Sequence, residues 1–165
     1  MKAWEQHKDS LILSTDQNRL DMDFVYAYLS QESPWARGIP RVTVETSIKN
    51  SLCFGIYDHT SQLAFARAIT DRATFAYIDD VFVRASHQGR GLGRWLAQSI
   101  LECPDLVGIK SWWLLAGSEA AWRLFESVGF RRPEPERLER WMTLPGGSRG
   151  FYLSTERPQR DSSLG

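Results

Sequence analysis

Gln88-Gly89-Arg90-Gly91-Leu92-Gly93 separates two stretches of different periodicity. Before it, residues 74–83 are rich in aromatic and β-branched side chains, the composition of a strand. After it, Leu92, Trp95, Leu96, Ser99, Ile100 and Cys103 fall along one face at helical spacing. The order is strand, glycine turn, helix. Glycine reaches positive φ without steric cost and carries no Cβ, so a turn built from it lets backbone N–H groups converge on a ligand. The helix N-terminus adds the positive end of its dipole. Together these elements predict a binding site for a diphosphate group.

Outward from the loop, Leu11-Ile12-Leu13 reads as the first strand. Ser14 and Gln17 fit a capping box for the first helix. The apolar face of that helix is Leu20, Phe24, Val25, Tyr28 and Leu29, and it ends near Ser33-Pro34. Residues 34–40 hold two prolines and a glycine and read as a loop. Residues 43–50 read as a short helix with Val44 and Ile48 inward. Residues 52–57 and 63–70 form strands about the turn Asp58-His59-Thr60-Ser61. Residues 111–115 read as a strand parallel to 74–83, because a helix intervenes. Ala121, Leu124, Phe125 and Val128 mark a further helix ended by Gly129. A terminal pair of strands is expected over 130–132 and 139–144. The alternation of strands and helices predicts a mixed α/β fold, a sheet with helices on both faces.

The 165 residues suit one domain, drawn here over 1–145, with 146–165 as a loosely structured tail. Hydrophobic content of 42%, charged content of 24% and a formal net charge of zero are those of an ordinary globular chain. That balance gives no field to attract nucleic acid or an anionic membrane. The first residues lack the apolar core of a signal peptide, so a cytoplasmic location with reduced Cys53 and Cys103 is expected. His7, His59 and His87 lack ligand spacing, and no metal is expected. The sequence leaves a homodimer open.

The loop is neither a Walker loop, since no Gly-Lys-Ser/Thr follows, nor a dinucleotide GxGxxG fingerprint. It reads Gln-x-x-Gly-x-Gly. With Asp79-Asp80-Val81-Phe82-Val83 ahead of it and Gly129-Phe130 after it, the chain resembles the GNAT acetyltransferase superfamily over about residues 11–144. The resemblance implies a mixed, mostly antiparallel sheet splayed at a cofactor cleft. It also implies acetyl-CoA as acetyl donor, with the pyrophosphate on the backbone of Gln88, Gly89, Arg90, Gly91, Leu92 and Gly93. Arg90 and Arg94 would meet the nucleotide phosphates, and Val81, Phe82 and Val83 would pair with the pantetheine arm as though it were an added strand. The implied reaction is direct attack of a primary amine, by default that of a small molecule, on the thioester.

Such a reaction needs a base and an acid. Asp79 and Asp80 are the base candidates, since adjacent carboxylates in an apolar strand are unusual; the resemblance favours Asp79, because family carboxylates often occur just ahead of the Asp-x-x-Val segment. Strand alternation sends them to opposite faces unless a bulge intervenes. Many family members carry a tyrosine where this chain has Phe125, which has no proton to give; Ser118, Tyr77 or water would have to serve. Trp35 and Arg37, in the loop on the acceptor side, are the substrate-contact candidates. Two other classes fit the loop: a CoA-binding or protein-interaction module that has lost its acid, and a nucleotide-binding regulator. The second lacks a phosphate- or metal-binding Lys or Asp beside the loop.

Overall fold

Six strands form one sheet in a computed structural model of the chain, which describes residues 3–139 and Met142. They are β1 (Glu5–Lys8), β2 (Leu11–Ser14), β3 (Leu52–Tyr57), β4 (Gln62–Thr70), β5 (Phe75–Val83) and β6 (Ser111–Leu114), hydrogen-bonded in that order. Neighbours are antiparallel except β5 and β6, which run parallel. The helices are α1 (Met22–Ala27), α2 (Arg41–Lys49), α3 (Leu92–Glu102), α4 (Glu119–Glu126) and the short α5 (Pro135–Leu138). A wide π turn, Tyr28–Glu32, extends α1.

Period-two alternation sorts the side chains to the two faces of the sheet. Leu52, Phe54 and Ile56 of β3, Ala64, Ala66 and Ala68 of β4 and Ile78 of β5 pack with Leu92, Leu96, Ala97 and Ile100 of α3 and with Phe125 of α4. The three alanines keep the floor under α3 low, so its leucine and isoleucine side chains reach the sheet. Cys53, Phe65 and Phe82 project to the opposite face, against Val25, Leu29, Val44 and Ile48 of α1 and its extension and of α2. One sheet thus carries a core on each face, as the α/β reading requires.

Three sequence expectations change. Ser14 and Gln17 do not form a capping box. Ser14 ends β2, while the Gln17 amide donates to Ile48 O at 3.0 Å and Ser51 O at 2.9 Å, tying the chain before α1 to the end of α2. The cap of α1 is Asp21, whose Oδ1 accepts from Phe24 N–H at 3.0 Å. Residues 130–132 are not a strand but an extended connection to α5; the expected partner strand, 139–144, and the tail lie largely outside the described residues. β1 was not anticipated: Glu-Gln-His-Lys has no apolar alternation, because one side of this edge strand faces solvent.

Both cysteines are free and buried, Cys53 at 1% and Cys103 at 0% exposure. Burial pushes the Cys53 thiol up to about 12 and raises that of Cys103 as well. At mildly alkaline pH the Cys53 thiolate fraction then falls roughly 10³-fold below that of an unperturbed thiol. Neither thiol is expected to react with an aromatic disulfide reagent in the native protein, and both are expected to react in denaturant. Rapid labelling of native protein would refute this.

Candidate active site

β5 changes phase in its middle. The register with β4 runs Ile78 opposite Ala68 and Asp79 opposite Arg67, then resumes at Phe82 opposite Phe65. Asp80 takes up the extra residue as a bulge with φ of 51°, a left-handed conformation that is uncommon outside glycine. Asp79 and Asp80 therefore face the same side of the sheet instead of opposite sides. Arg67 meets both: Nη2 donates to Asp79 Oδ2 and Nε to Asp80 Oδ2, each at 2.6 Å. Asp79 Oδ1 also accepts from the Asp80 N–H at 3.0 Å, and Asp80 Oδ1 accepts from Trp35 Nε1 at 2.9 Å. Burial, then the neighbouring Asp80, raises Asp79 above the ordinary carboxylate value, with the Arg67 guanidinium opposing.

Just beyond that point the sheet splays. β5 and β6 pair from Phe75 with Ser111 to Ile78 with Leu114, and no further. Arg84 N–H bonds Leu63 O at 2.8 Å on the β4 side, so alternation turns the backbone groups of Val83 and Val81 toward the gap. A cavity of about 570 Å³ occupies this gap. Asp79, Asp80 and Trp35 lie along it, the glycine loop borders it, and Ser118 and Leu124 bound it from α4 and its cap.

The loop has the form its glycines predict. Gly89 and Gly91 have φ of 74° and 79°, and Gly91 is the N-cap of α3. A Cβ on either would meet no protein atom within 4 Å, so the space before them is open to a ligand. The N–H groups of Gly89, Arg90, Gly91, Leu92, Gly93 and Arg94 are spent on no turn or cap bond among the described residues; the first bond of α3 is Trp95 N–H to Gly91 O at 3.0 Å. Converging free N–H groups at a helix N-terminus suit a phosphate. Gln88 plays a different part: its Nε2 donates to Val83 O at 3.0 Å, fastening the loop to the splayed strand.

Residues 22–130 match the acetyltransferase (GNAT) family. The chain belongs to that family. A GNAT-family structure from Xanthomonas campestris pv. campestris is 36% identical, superposes with a TM-score of 0.77, and shares 90% of this chain and 100% of its own. A Gibberella zeae protein named as an acetyltransferase is 33% identical over 110 residues, 55% of this chain; the match spans 62% of that relative's length. The ribosomal-protein-S18-alanine N-acetyltransferase of Escherichia coli, 22% identical with a TM-score of 0.60 over 75% of this chain and 79% of its own, shares the fold. GNAT enzymes generally use acetyl-CoA, and the loop and open strand edge have the donors and the space that a CoA pyrophosphate and pantetheine arm need.

Several residues are placed differently from their sequence reading as GNAT site groups. Arg90 and Arg94 are exposed and do not border the cavity; Arg94 Nη2 instead donates to Ser127 O at 3.4 Å, beyond the end of α4. Arg37 is exposed and does not border the cavity, whereas Trp35, in the same loop, does. Phe82 borders the cavity, but its ring is core, stacked on Tyr28 at 3.8 Å between centroids. Tyr77 is not a cavity residue, which leaves Ser118 of the acid candidates, and Ser118 Oγ also caps α4 by accepting from Ala121 N–H at 3.1 Å.

Two cavity residues able to donate or accept a proton escaped the sequence reading. His87 borders the cavity, half-buried, with Nδ1 2.9 Å from Ser86 Oγ. Tyr28 had been assigned only to the apolar face of α1. It borders the cavity too, and burial, followed by Glu32, raises its phenol above the usual value and keeps it protonated. A hydroxyl on an otherwise wholly apolar face was the available signal.

Phe125 is 4% exposed and meets Phe130 edge-on at 5.5 Å. It is a packing residue. Phe125→Leu is expected to cost about 1 kcal/mol, lowering Tm by about 2–4 °C, with kcat unchanged. A large fall in kcat at constant Tm would refute this.

Proposed function

We propose that this protein is an acetyl-CoA-dependent N-acetyltransferase acting by direct attack of a primary amine, with a small molecule as acceptor and the cytoplasm as its compartment. The observation that carries the reading is that a phosphate-ready glycine loop, an unpaired strand edge and a cavity-facing carboxylate open onto one cavity. Free cysteines agree with a reducing compartment, and no helix among the described residues is long and apolar enough to cross a membrane.

Acetyl-CoA supplies the activated acetyl group. N–H groups of the loop from Gly89 to Gly93 hold the pyrophosphate, since the Gln88 N–H is already bonded to Ala85 O at 3.3 Å, and the edge at Val81 and Val83 aligns the arm and offers an amide to the thioester oxygen. Asp79 takes the proton of the attacking ammonium, directly or through water. Tyr28 and Ser118 are the hydroxyl-bearing groups at the cavity that can return a proton to the leaving thiolate. Trp35 lies on the acceptor side. Among the described residues no group of His, Cys, Asp and Glu is arranged to hold a metal, and none is assigned.

A second reading, a CoA-binding module without turnover, is favoured by Phe125 standing where a proton-donating tyrosine is usual in the family. Calorimetry with CoA, followed by thiol release from acetyl-CoA across a panel of primary amines, separates the two. Binding with amine-dependent thiol release supports the enzyme. Binding without release for every amine supports the module. Failure to bind CoA overturns both.

A further inference from the structure

Two carboxylates share one face of β5, and one cation lies between them. Arg67, on β4, has a side chain only 13% exposed. Its third nitrogen, Nη1, is 3.4 Å from Ser51 Oγ, so the guanidinium is held from the start of β3 as well as by the two aspartates. The planar fork then fixes both carboxylates relative to each other, which a lysine ammonium at the same place would not do.

The two aspartates are unequal partners. Asp80 is enclosed, 6% exposed, with one oxygen on Arg67 and the other on Trp35. Both its oxygens have side-chain donors, and through Trp35 it tethers residues 34–40 to the sheet. The Asp79 side chain is 31% exposed and borders the cavity, and among the described residues its Oδ1 has only the Asp80 N–H, at 3.0 Å. That oxygen keeps a lone pair for an incoming proton.

We propose that Arg67 is a positioning residue that divides the work of the two carboxylates, turning Asp79 to the cavity as proton acceptor and clamping Asp80 as the anchor of Trp35 and its loop. The proposal rests on the acetyltransferase reading. In the step concerned, an N–H bond of the acceptor ammonium breaks, its electron pair stays on nitrogen for attack, and the proton forms an O–H bond at Asp79 Oδ1. Arg67 keeps its protons throughout. Of the other titratable groups, Cys53 from β3 and Tyr77 from β5 lie near enough to interact with the pair, and Tyr28 beyond α1 and His87 beside the loop border the same cavity.

The test is NMR titration of the full chain labelled with ¹³C-aspartate, which needs no substrate, together with the pH dependence of kcat/KM for the fastest amine of the panel. Arg67→Gln is expected to raise the Asp79 midpoint by about one pH unit or more, to move the acid limb of activity with it, and to lower kcat at least about tenfold while the KM for acetyl-CoA holds. Arg67→Lys keeps the charge and should recover most of the midpoint but not the full kcat. Asp80→Asn should lower the Asp79 midpoint, and Trp35→Phe should raise the amine KM severalfold with that midpoint unmoved. If Arg67→Gln does not fold, Arg67→Lys and Asp80→Asn still decide. An Asp79 midpoint unchanged in Arg67→Gln or in Asp80→Asn, full kcat in Arg67→Lys, or a fall in kcat in Asp80→Asn as deep as in Asp79→Asn, overturns the proposal. Failure of the wild-type protein to bind CoA overturns the acetyltransferase reading instead, and calorimetry reads that separately.

Discussion

Asp79→Asn is expected to lower kcat by about 10²–10⁴-fold, the range for loss of a positioned general base, and to remove the acid limb of the pH profile. An alkylammonium is largely protonated at neutral pH, and only the ionised carboxylate can accept its proton, so activity rises as pH climbs through the Asp79 pKa. Burial and Asp80 raise that pKa, so the limb lies above the ordinary aspartate value of about 3.9. Asparagine keeps the shape and still offers Arg67 an oxygen, so the effect is on turnover more than on folding. Unchanged turnover and an intact acid limb in a folded variant would show that the proton leaves by another route.

Gly91→Val is expected to weaken CoA binding by roughly 10- to 100-fold. Gly91 holds φ of 79° at the start of α3, and a β-branched residue there is strained. The penalty of about 1–2 kcal/mol for a left-handed L-residue is itself about tenfold in affinity if the loop relaxes to escape it. The added side chain has no protein atom within 4 Å of its Cβ, so its branches enter the space before the loop where a phosphate would lie. Gly91→Ala should fall between the two. Calorimetry is the check, with circular dichroism to establish folding; unaltered affinity would remove the loop from the binding site.

The sequence made the loop and the helix after it readable because glycine at positive φ, followed by an amphipathic run, is a local requirement with a local signature. The two-faced sheet was readable from the order of strands and helices along the chain. What it did not disclose arises between distant residues. Nothing in Asp79-Asp80 announces a left-handed bulge; the bulge appears only when β5 is laid in register against β4. Arg67 drew no notice because its chemistry depends on that register, and Trp35 gained a polar partner 45 residues along the chain. The capping box failed because Asp21, nearer the helix, competes better than Ser14 for its N-terminal amides. Arg90, in the loop, and Arg94, in the first turn of α3, carry charge near the site, yet both are exposed and neither borders the cavity.

The Gln88 bond to Val83 bears on the timing of recognition. A loop fastened to the strand has already lost much of its conformational freedom before any ligand arrives, so the ordering cost falls on folding. Gln88→Ala should therefore leave every phosphate contact possible and still slow capture, because the loop would be searching for its shape while the ligand waits. The same bond makes the nucleotide end and the reacting end of the cleft a single mechanical unit.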